Sequence, residues 1–526
     1  MSYKRFSLLS FITFASFLLS SCNALGIIFM QENIDDMNAF QSDYGDGYNK
    51  VSKLSFSLND VNKSVGQISL SSTGESKILI VPVECLDGPS WTSEMLSNVN
   101  TAFFGKAEET GWQSVSSYYE TSSYGKLKIS GSVAPILKLN YTVSSLSTAN
   151  IIDDSSRPDE IVYKLFEKDN TYDDLRVEYD TDSDGYIDSV VFVYSNSIDS
   201  GDFTYHGKNV ENGYWAWVYW GESNYVGASN PIVNSYMWVS YNFIYGTQSV
   251  QDNYPYAAYT SEKKVDSHTI IHETGHLLGL DDYYSYDDNS WDPSGAIEMH
   301  SNNIGDENIF SKFSLGWVNP YYVKINETGK KVSLTLRSSA KYGDAILIND
   351  TWNNSSCDEY IIIEYYTPNL LNYKDAVKAY AGNGFRMYTE SGFRIYHVDS
   401  RVVKLVKNIR SGYSIVGFTD ELEEGSIYKV GPSNSPSKAF LNSHEDDFKL
   451  VHLMEAGGVN TFIESVKTNS PTPANNDTLY KNGSSFEANK NFFYNGEKFN
   501  DGTTVGYKIS IGQCEKTYGT LTIEKL

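Results

Sequence analysis

Cysteine and histidine are both scarce in this chain, with four and eight copies in 526 residues. Once Cys22 is set aside in the N-terminal segment, Cys85, Cys357 and Cys514 remain. Three thiols cannot all pair within one chain, and their spacing matches neither a zinc knuckle nor a disulfide scaffold. Buried thiols are the expectation. Positive charge is short as well, since 41 Lys and Arg against 66 Asp and Glu leave a net charge of −25. That balance repels phosphate, which excludes nucleic acid and an anionic membrane surface as direct partners. Beyond the N-terminal segment no apolar run approaches the roughly 20 residues of a spanning helix.

The N-terminal segment has its own pattern. Lys4 and Arg5 precede a mostly apolar run from Phe6 to Leu19, followed by Leu19-Ser20-Ser21-Cys22. The run is short for a span and ends in small residues, as export signals do. Leu-Ser-Ser-Cys resembles a bacterial lipoprotein box. That resemblance implies cleavage before Cys22, a lipid on its sulfur, and a protein exported to the cell surface as a lipoprotein or secreted. Membrane contact is then expected through the lipid anchor alone.

Tyrosine is abundant, with 41 copies, and favours half-buried strands and binding surfaces. The length calls for about two to four domains. Residues 22–74 are polar and rich in Asp, Asn, Ser and Gly, which suggests a flexible tether leading into short strands at Lys53–Leu58 and Gln67–Leu70. Lys77–Val83 and Asp188–Tyr194 read as buried strands, Gly125–Gly131 as a strand, and Trp91–Tyr124 and Asp159–Lys168 as helical. Beyond Pro320 short alternating strands dominate, clearest at Lys331–Leu336, Tyr360–Tyr365, Gly392–Val398, Gly506–Ile511 and Thr517–Ile523. The expected division is a signal peptide (1–21), a tether (22–74), a catalytic domain (75–320), a β-rich extension (321–415) and a β-rich C-terminal domain (416–526). The class is α+β, a mixed sheet with an active-site helix followed by a sandwich-like region.

Three of the eight histidines lie between His268 and His276, in Ser267-His-Thr-Ile-Ile-His-Glu-Thr-Gly-His-Leu-Leu-Gly-Leu-Asp-Asp-Tyr-Tyr284. On a helix His272 and His276 share a face and can grip one ion. Glu273 stands beside the first ligand and can reach a metal-bound water as general base without ligating. Gly279 supplies a helix stop, after which the chain can swing a carboxylate back as third ligand. Asp282 is favoured over Asp281; a Glu from a later helix, Glu298 or Glu307, is the other geometry. His268 falls in the first turn and is read as support. The pattern points to a zinc-dependent peptidase acting on proteins or peptides. Tyr283 and Tyr284 are nearby candidates for an oxyanion donor, with packing the expected role.

A second metal loop is expected at Asp180-Thr-Asp-Ser-Asp-Gly-Tyr-Ile-Asp188. Asp180, Asp182, Asp184 and Asp188 take positions 1, 3, 5 and 9 of a calcium loop, Gly185 the sharp bend at 6, and Tyr186 the carbonyl position 7. Val191 stands where the closing Glu would be.

His-Glu-Thr-Gly-His-Leu-Leu-Gly-Leu-Asp-Asp resembles the H-E-x-x-H-x-x-G-x-x-D signature of the immune inhibitor A family of secreted bacterial metallopeptidases. Ser114–Leu127, Phe310–Trp317 and Gly392–Asp399 resemble further segments of that family. The resemblance runs from about Lys77 to Asp399. It implies a metzincin-like catalytic domain in which His272, His276 and Asp282 bind zinc, Glu273 is the base, and Met299 makes the turn beneath the metal. It adds weight to calcium in the acidic loop. The chain departs from the family in having Asp281 where Pro precedes the ligand Asp, and Glu298 and His300 around the Met. The alternative from another class is a surface adhesin or glycan-binding lipoprotein on a zincin scaffold without turnover.

Overall fold

The structure is a computed structural model that describes residues 48–147, 158–198, 203–205, 208–210, 214–221, 230–244, 265–286, 292–326, 331–380, 385–408, 412–435, 448–462, 473–493 and 496–526. The expected signal peptide and Cys22 lie outside them. The protein is mixed α/β, compatible with the α+β class, with several sheets and about ten helices.

In chain order the first part carries β1 (Tyr48–Lys50), α1 (Leu58–Ser64), β2 (Gly74–Glu84), α2 (Ser93–Phe104), α3 (Val115–Ser122), β3 (Leu127–Val133), β4 (Leu137–Lys138), α4 (Val143–Ser147), α5 (Pro158–Lys168) and α6 (Asp173–Glu178). Then come β5 (Val190–Tyr194), the hairpin β6 (Phe203–Tyr205) and β7 (Lys208–Val210), β8 (Trp217–Trp220) and β9 (Ser235–Ser240). The motif helix α7 (His268–Leu277), α8 (Met299–Asn302) and α9 (Ile309–Ser314) complete it. A mixed sheet in the order β3-β2-β5-β9-β8, with β4 also on β2, forms its centre. β8 is the antiparallel edge, and β3, β2, β5 and β9 run parallel. Parallel strands are covered on both faces, so β2 and β5 read as continuous apolar runs rather than alternating ones. Ile78, Ile80, Val191, Val193 and Met237 pack toward α2, α3 and α7, while Leu79, Val81, Val190 and Phe192 pack toward Ile161, Val162 and Phe166 of α5.

The second part holds β10 (Tyr321–Val323), β11 (Lys331–Arg337), α10 (Ser339–Tyr342), β12 (Ala345–Ile348), β13 (Glu359–Tyr366), α11 (Leu371–Val377) and β14 (Gly392–Asp399). It continues with β15 (Val402–Asn408), β16 (Gly412–Thr419), β17 (Ile427–Val430), β18 (Val451–Met454), β19 (Ser485–Glu487), β20 (Tyr507–Cys514) and β21 (Tyr518–Lys525). One sheet runs β1-β10-β12-β13-β14-β18, another β11-β21-β20-β19, and a small third β16-β15-β17. Strand alternation places Ile346, Ile348, Ile361 and Ile363 against Leu334, Leu336, Ile509 and Leu521 of the second sheet. The opposite face, with Leu347, Tyr360, Ile362 and Tyr396, shares one core with Ile270, Phe313 and Trp317 of the first part.

Four expectations change. The segment leading into the first sheet is not two short strands: Ser57 caps a helix, α1, with Asp60 returning the bond to the Ser57 backbone. Strand β1 pairs with β10, so residues 48–50 belong to the second part's sheet rather than to a tether. The expected boundary at 415/416 falls inside β16, which is hydrogen-bonded along its length to β15. The helical stretch Trp91–Tyr124 is two helices, because Gly105 ends α2 and Ser114 caps α3 anew. Cys85 and Cys357 are buried free thiols, as expected, whereas Cys514 is half-buried. Burial pushes the Cys357 thiol up to about 12.

Candidate metal centre

Helix α7 begins without a side-chain cap from Ser267; instead Asp266 Oδ1 accepts the His268 backbone N–H at 3.0 Å and its Nδ1–H at 2.7 Å. The His268 ring is stacked between Trp112 and Tyr380, with centroids at 4.2 and 4.1 Å. Its Nε2 faces Asp375 Oδ1 of α11 at 3.7 Å. Burial pulls this imidazole down, but Asp266 and Asp375 outweigh it and raise the pKa to about 9. His268 is thus a charged clamp at the helix start, where a bare cation would oppose the helix dipole. Support, not ligation, is its place in the structure.

The other end of α7 stops at Gly279, whose φ of +96° only glycine adopts without strain. The Gly279 N–H bonds His276 O at 2.9 Å and the Leu280 N–H bonds Gly275 O at 3.0 Å. This reversal turns the chain back over the helix face that carries the two histidines.

His272 Nδ1 is 2.8 Å from Met299 O, and His276 Nδ1 is 2.8 Å from Leu280 O. A carbonyl only accepts, so each Nδ1 carries the proton and each Nε2 presents a lone pair. The two Nε2 atoms are 3.2 Å apart, and Asp282 Oδ1 lies 3.0 Å from one and 3.1 Å from the other. With both rings neutral, as metal ligands are, three lone pairs converge on one point. Ligands about 2.0–2.1 Å from a tetrahedral ion stand about 3.3 Å apart, close to these separations.

The surroundings fix these groups. Tyr286 Oη donates to Asp282 Oδ2, leaving Oδ1 turned to the histidines. Trp220 Nε1, on edge strand β8, donates to His276 O at 2.9 Å, and its ring meets the His276 ring edge-on at 5.9 Å. Tyr119 Oη donates to Ile271 O at 2.7 Å from the other side of the helix. Glu273 is buried on α7 next to His272.

The remaining candidates separate. Asp281 accepts the Asp282 N–H at 3.0 Å and faces Ser433 Oγ at 3.3 Å, so it braces the loop. Glu298 accepts from Asn308 Nδ2 at 3.2 Å and Glu307 faces His300, both fully buried beneath α7. Tyr283 Oη is bonded to Ser311 Oγ at 2.9 Å in the core, which matches a packing role. Met299 is fully buried, and its carbonyl is the partner of His272.

His300 joins the group in a way the sequence did not reveal. A ring nitrogen of His300 lies within 4.8 Å of nitrogens on both His272 and His276, a three-imidazole cluster able to hold a metal ion. Two sets of three donors therefore share His272 and His276. Asp282 fits the third place better, because His300 Nε2 is turned to Glu307 Oε1 at 3.5 Å and its ring lies against Gly275. Tyr286, Trp220 and Tyr119 were also missed; Tyr286 stands four residues past Asp282, a spacing that could have flagged it.

In the acidic loop, Asp180, Asp182 and Asp188 offer oxygens within 4.8 Å of one another. Ser183 (φ 60°) and Gly185 (φ 91°) make the bend, and Asp180 accepts the Asp184 and Gly185 N–H groups at 3.0 and 3.1 Å. Asp184 instead turns Oδ1 to the Tyr186 N–H at 2.9 Å. Burial, and then the neighbouring carboxylates, raise the Asp184 carboxyl above its ordinary value.

No protein-family model matches the chain, and no curated protein matches it significantly.

Proposed function

We propose that this protein is a zinc-dependent endopeptidase of the immune inhibitor A type, with a metzincin-like catalytic region, acting on extracellular proteins or peptides. The observation that carries the reading is the meeting of three atoms of ligand type, His272 Nε2, His276 Nε2 and Asp282 Oδ1, at 3.0–3.2 Å. Lone pairs at such distances repel unless a proton or a metal ion lies among them, and two imidazoles with one carboxylate are a donor set that suits zinc. A bound zinc ion supplies Lewis acidity, bringing a water's pKa toward about 7 and polarising a carbonyl.

The chain's own residues do the rest. Met299 and Leu280 carbonyls hold the two imidazoles in the tautomer that ligates, through 2.8 Å contacts. Tyr286 orients Asp282 by occupying its second oxygen. Glu273 accepts the attacking water's proton and delivers it to the departing amine. The acidic loop is proposed to take calcium on Asp180, Asp182 and Asp188, with Asp184 and the Tyr186 carbonyl completing the shell. The chain would reach the cell surface through a lipid on Cys22.

Purified full chain and Glu273→Ala are compared on unfolded casein, with metal content measured in both. Wild type is expected to cleave and to stop on chelation. Glu273→Ala should keep its zinc and lose roughly 10²–10⁴-fold in rate. A wild type that holds zinc and cuts no protein substrate would defeat the peptidase reading.

A further inference from the structure

Helix α7 places a glycine, Gly275, between its two metal-binding histidines, although glycine in a helix interior is unfavourable relative to alanine. No turn requires it there. The structure supplies another reason: a Cβ on Gly275 would stand 2.2 Å from both Cε1 and Nε2 of His300. The His300 imidazole rests on the bare backbone of α7, with its centroid 5.0 Å from the His272 ring and 5.3 Å from the His276 ring.

His300 is fully buried, and neither ring nitrogen has a hydrogen-bond partner among the described residues. Its Nε2 faces Glu307 Oε1 at 3.5 Å, and the Glu307 carboxylate oxygens have no hydrogen-bond partner among the described residues. The backbone on either side of this ring reaches His272 and the residue after Asp282. Met299 O holds His272 at 2.8 Å, and His300 O accepts the N–H of Tyr283, the residue after Asp282, at 2.9 Å.

We propose that His300, braced by Glu307 and seated on Gly275, is a positioning residue that fixes the spacing of the His272 and His276 imidazoles and thereby sets metal affinity. This rests on the metal reading above. The device is a strut: Glu307 holds the ring, the ring holds the helix face, and Gly275 is the notch that admits it. Buried partners of ligating histidines commonly change metal affinity 10–100-fold when removed.

The test measures zinc dissociation constants of the full chain by chelator competition, and melting temperatures of the metal-free forms. His300→Ala and Glu307→Gln are each expected to weaken zinc roughly 10–100-fold. Gly275→Ala should weaken it too, and the double variant Gly275→Ala/His300→Ala should be no worse than His300→Ala, because the new methyl group finds the space the ring has left. A role confined to packing would lower metal-free melting temperatures and leave the zinc constant of the folded protein unchanged, which would overturn the proposal. Additive losses in the double variant would overturn it as well. Should His300→Ala fail to fold, Glu307→Gln decides by the same zinc constant. Wild type without zinc affinity would sink the metal reading, and this inference with it; normal wild-type affinity with unaltered variants sinks this inference alone.

Discussion

His268 shows how a single side chain can make the motif helix sensitive to pH. Its folded pKa is about 9, because Asp266 and Asp375 overcome the burial that would lower it. The unfolded value is about 6.5, so the folded state binds the proton more tightly. The stability this contributes is fully present below about pH 6.5 and is lost as pH rises through about 9. The difference corresponds to about 3 kcal/mol as an order of magnitude. Thermal melts from pH 6 to 10 should therefore show a falling melting temperature that is flatter in His268→Gln; equal slopes in the two proteins would remove this clamp from the account. At the ligand loop, Asp282→Ala is expected to abolish zinc binding and Asp281→Ala to weaken it little, measured as zinc per chain. Tyr286→Phe removes the Tyr286 hydrogen bond to Asp282 Oδ2 and should lower zinc affinity by a smaller factor than loss of the ligand does.

At the scale of elements, the motif helix and its stop were legible from the sequence because local chemistry determines them. Apolar and ligand positions repeat at helical spacing, and Gly279 takes the φ of +96° that a helix stop wants. A Cβ there would also stand 2.5 Å from Asn62 Nδ2 of α1. Gly279→Ala should thus cost more than ~1 kcal/mol, seen as a lower denaturation midpoint; a neutral result would mean the loop can rearrange freely. The docking of α1 was not legible. Residues 58–70 carry apolar side chains at Leu58, Val61, Val65, Ile68 and Leu70, but the groups that seat the segment are distant in sequence: Leu70 N–H bonds Leu277 O at 2.7 Å, and Asn234 bonds Ile68 N and Gly66 O at 3.1 Å each. His300 escaped for the same reason. Its partners are a glycine 25 positions earlier and an acid seven later, a relation that no local period encodes.

Across the whole molecule, strands were easier to foresee than their partners. The β-branched and aromatic residues of β13 and β14 mark strands, but only the fold tells which face meets Phe313 and Trp317 and which meets the β11-β21-β20-β19 sheet. Because the two parts share a core, a chain cut after residue 320 would expose that face and lose the strand pairing of β1. Such a fragment is expected to be insoluble or to melt far below the full chain. Cooperative folding of the fragment with normal stability would show the core to be divisible. The acidic loop lies just before β5, the middle strand of the first sheet, so millimolar calcium should raise the melting temperature and Asp180→Ala should cancel that rise. A cavity of about 500 Å³ lies behind the loop that carries Asp282, between Asn62 of α1, Val65, Gly279–Asp281 and Val430.

The central claim is that His272, His276 and Asp282 hold one zinc ion through the three donors that meet at 3.0–3.2 Å. Its most direct test is the zinc content of the purified full chain after dialysis against excess zinc and removal of the free metal, with His272→Ala beside it. The account predicts about one zinc per wild-type chain and almost none in the variant. Equal zinc in the two proteins, or none in wild type, would contradict it.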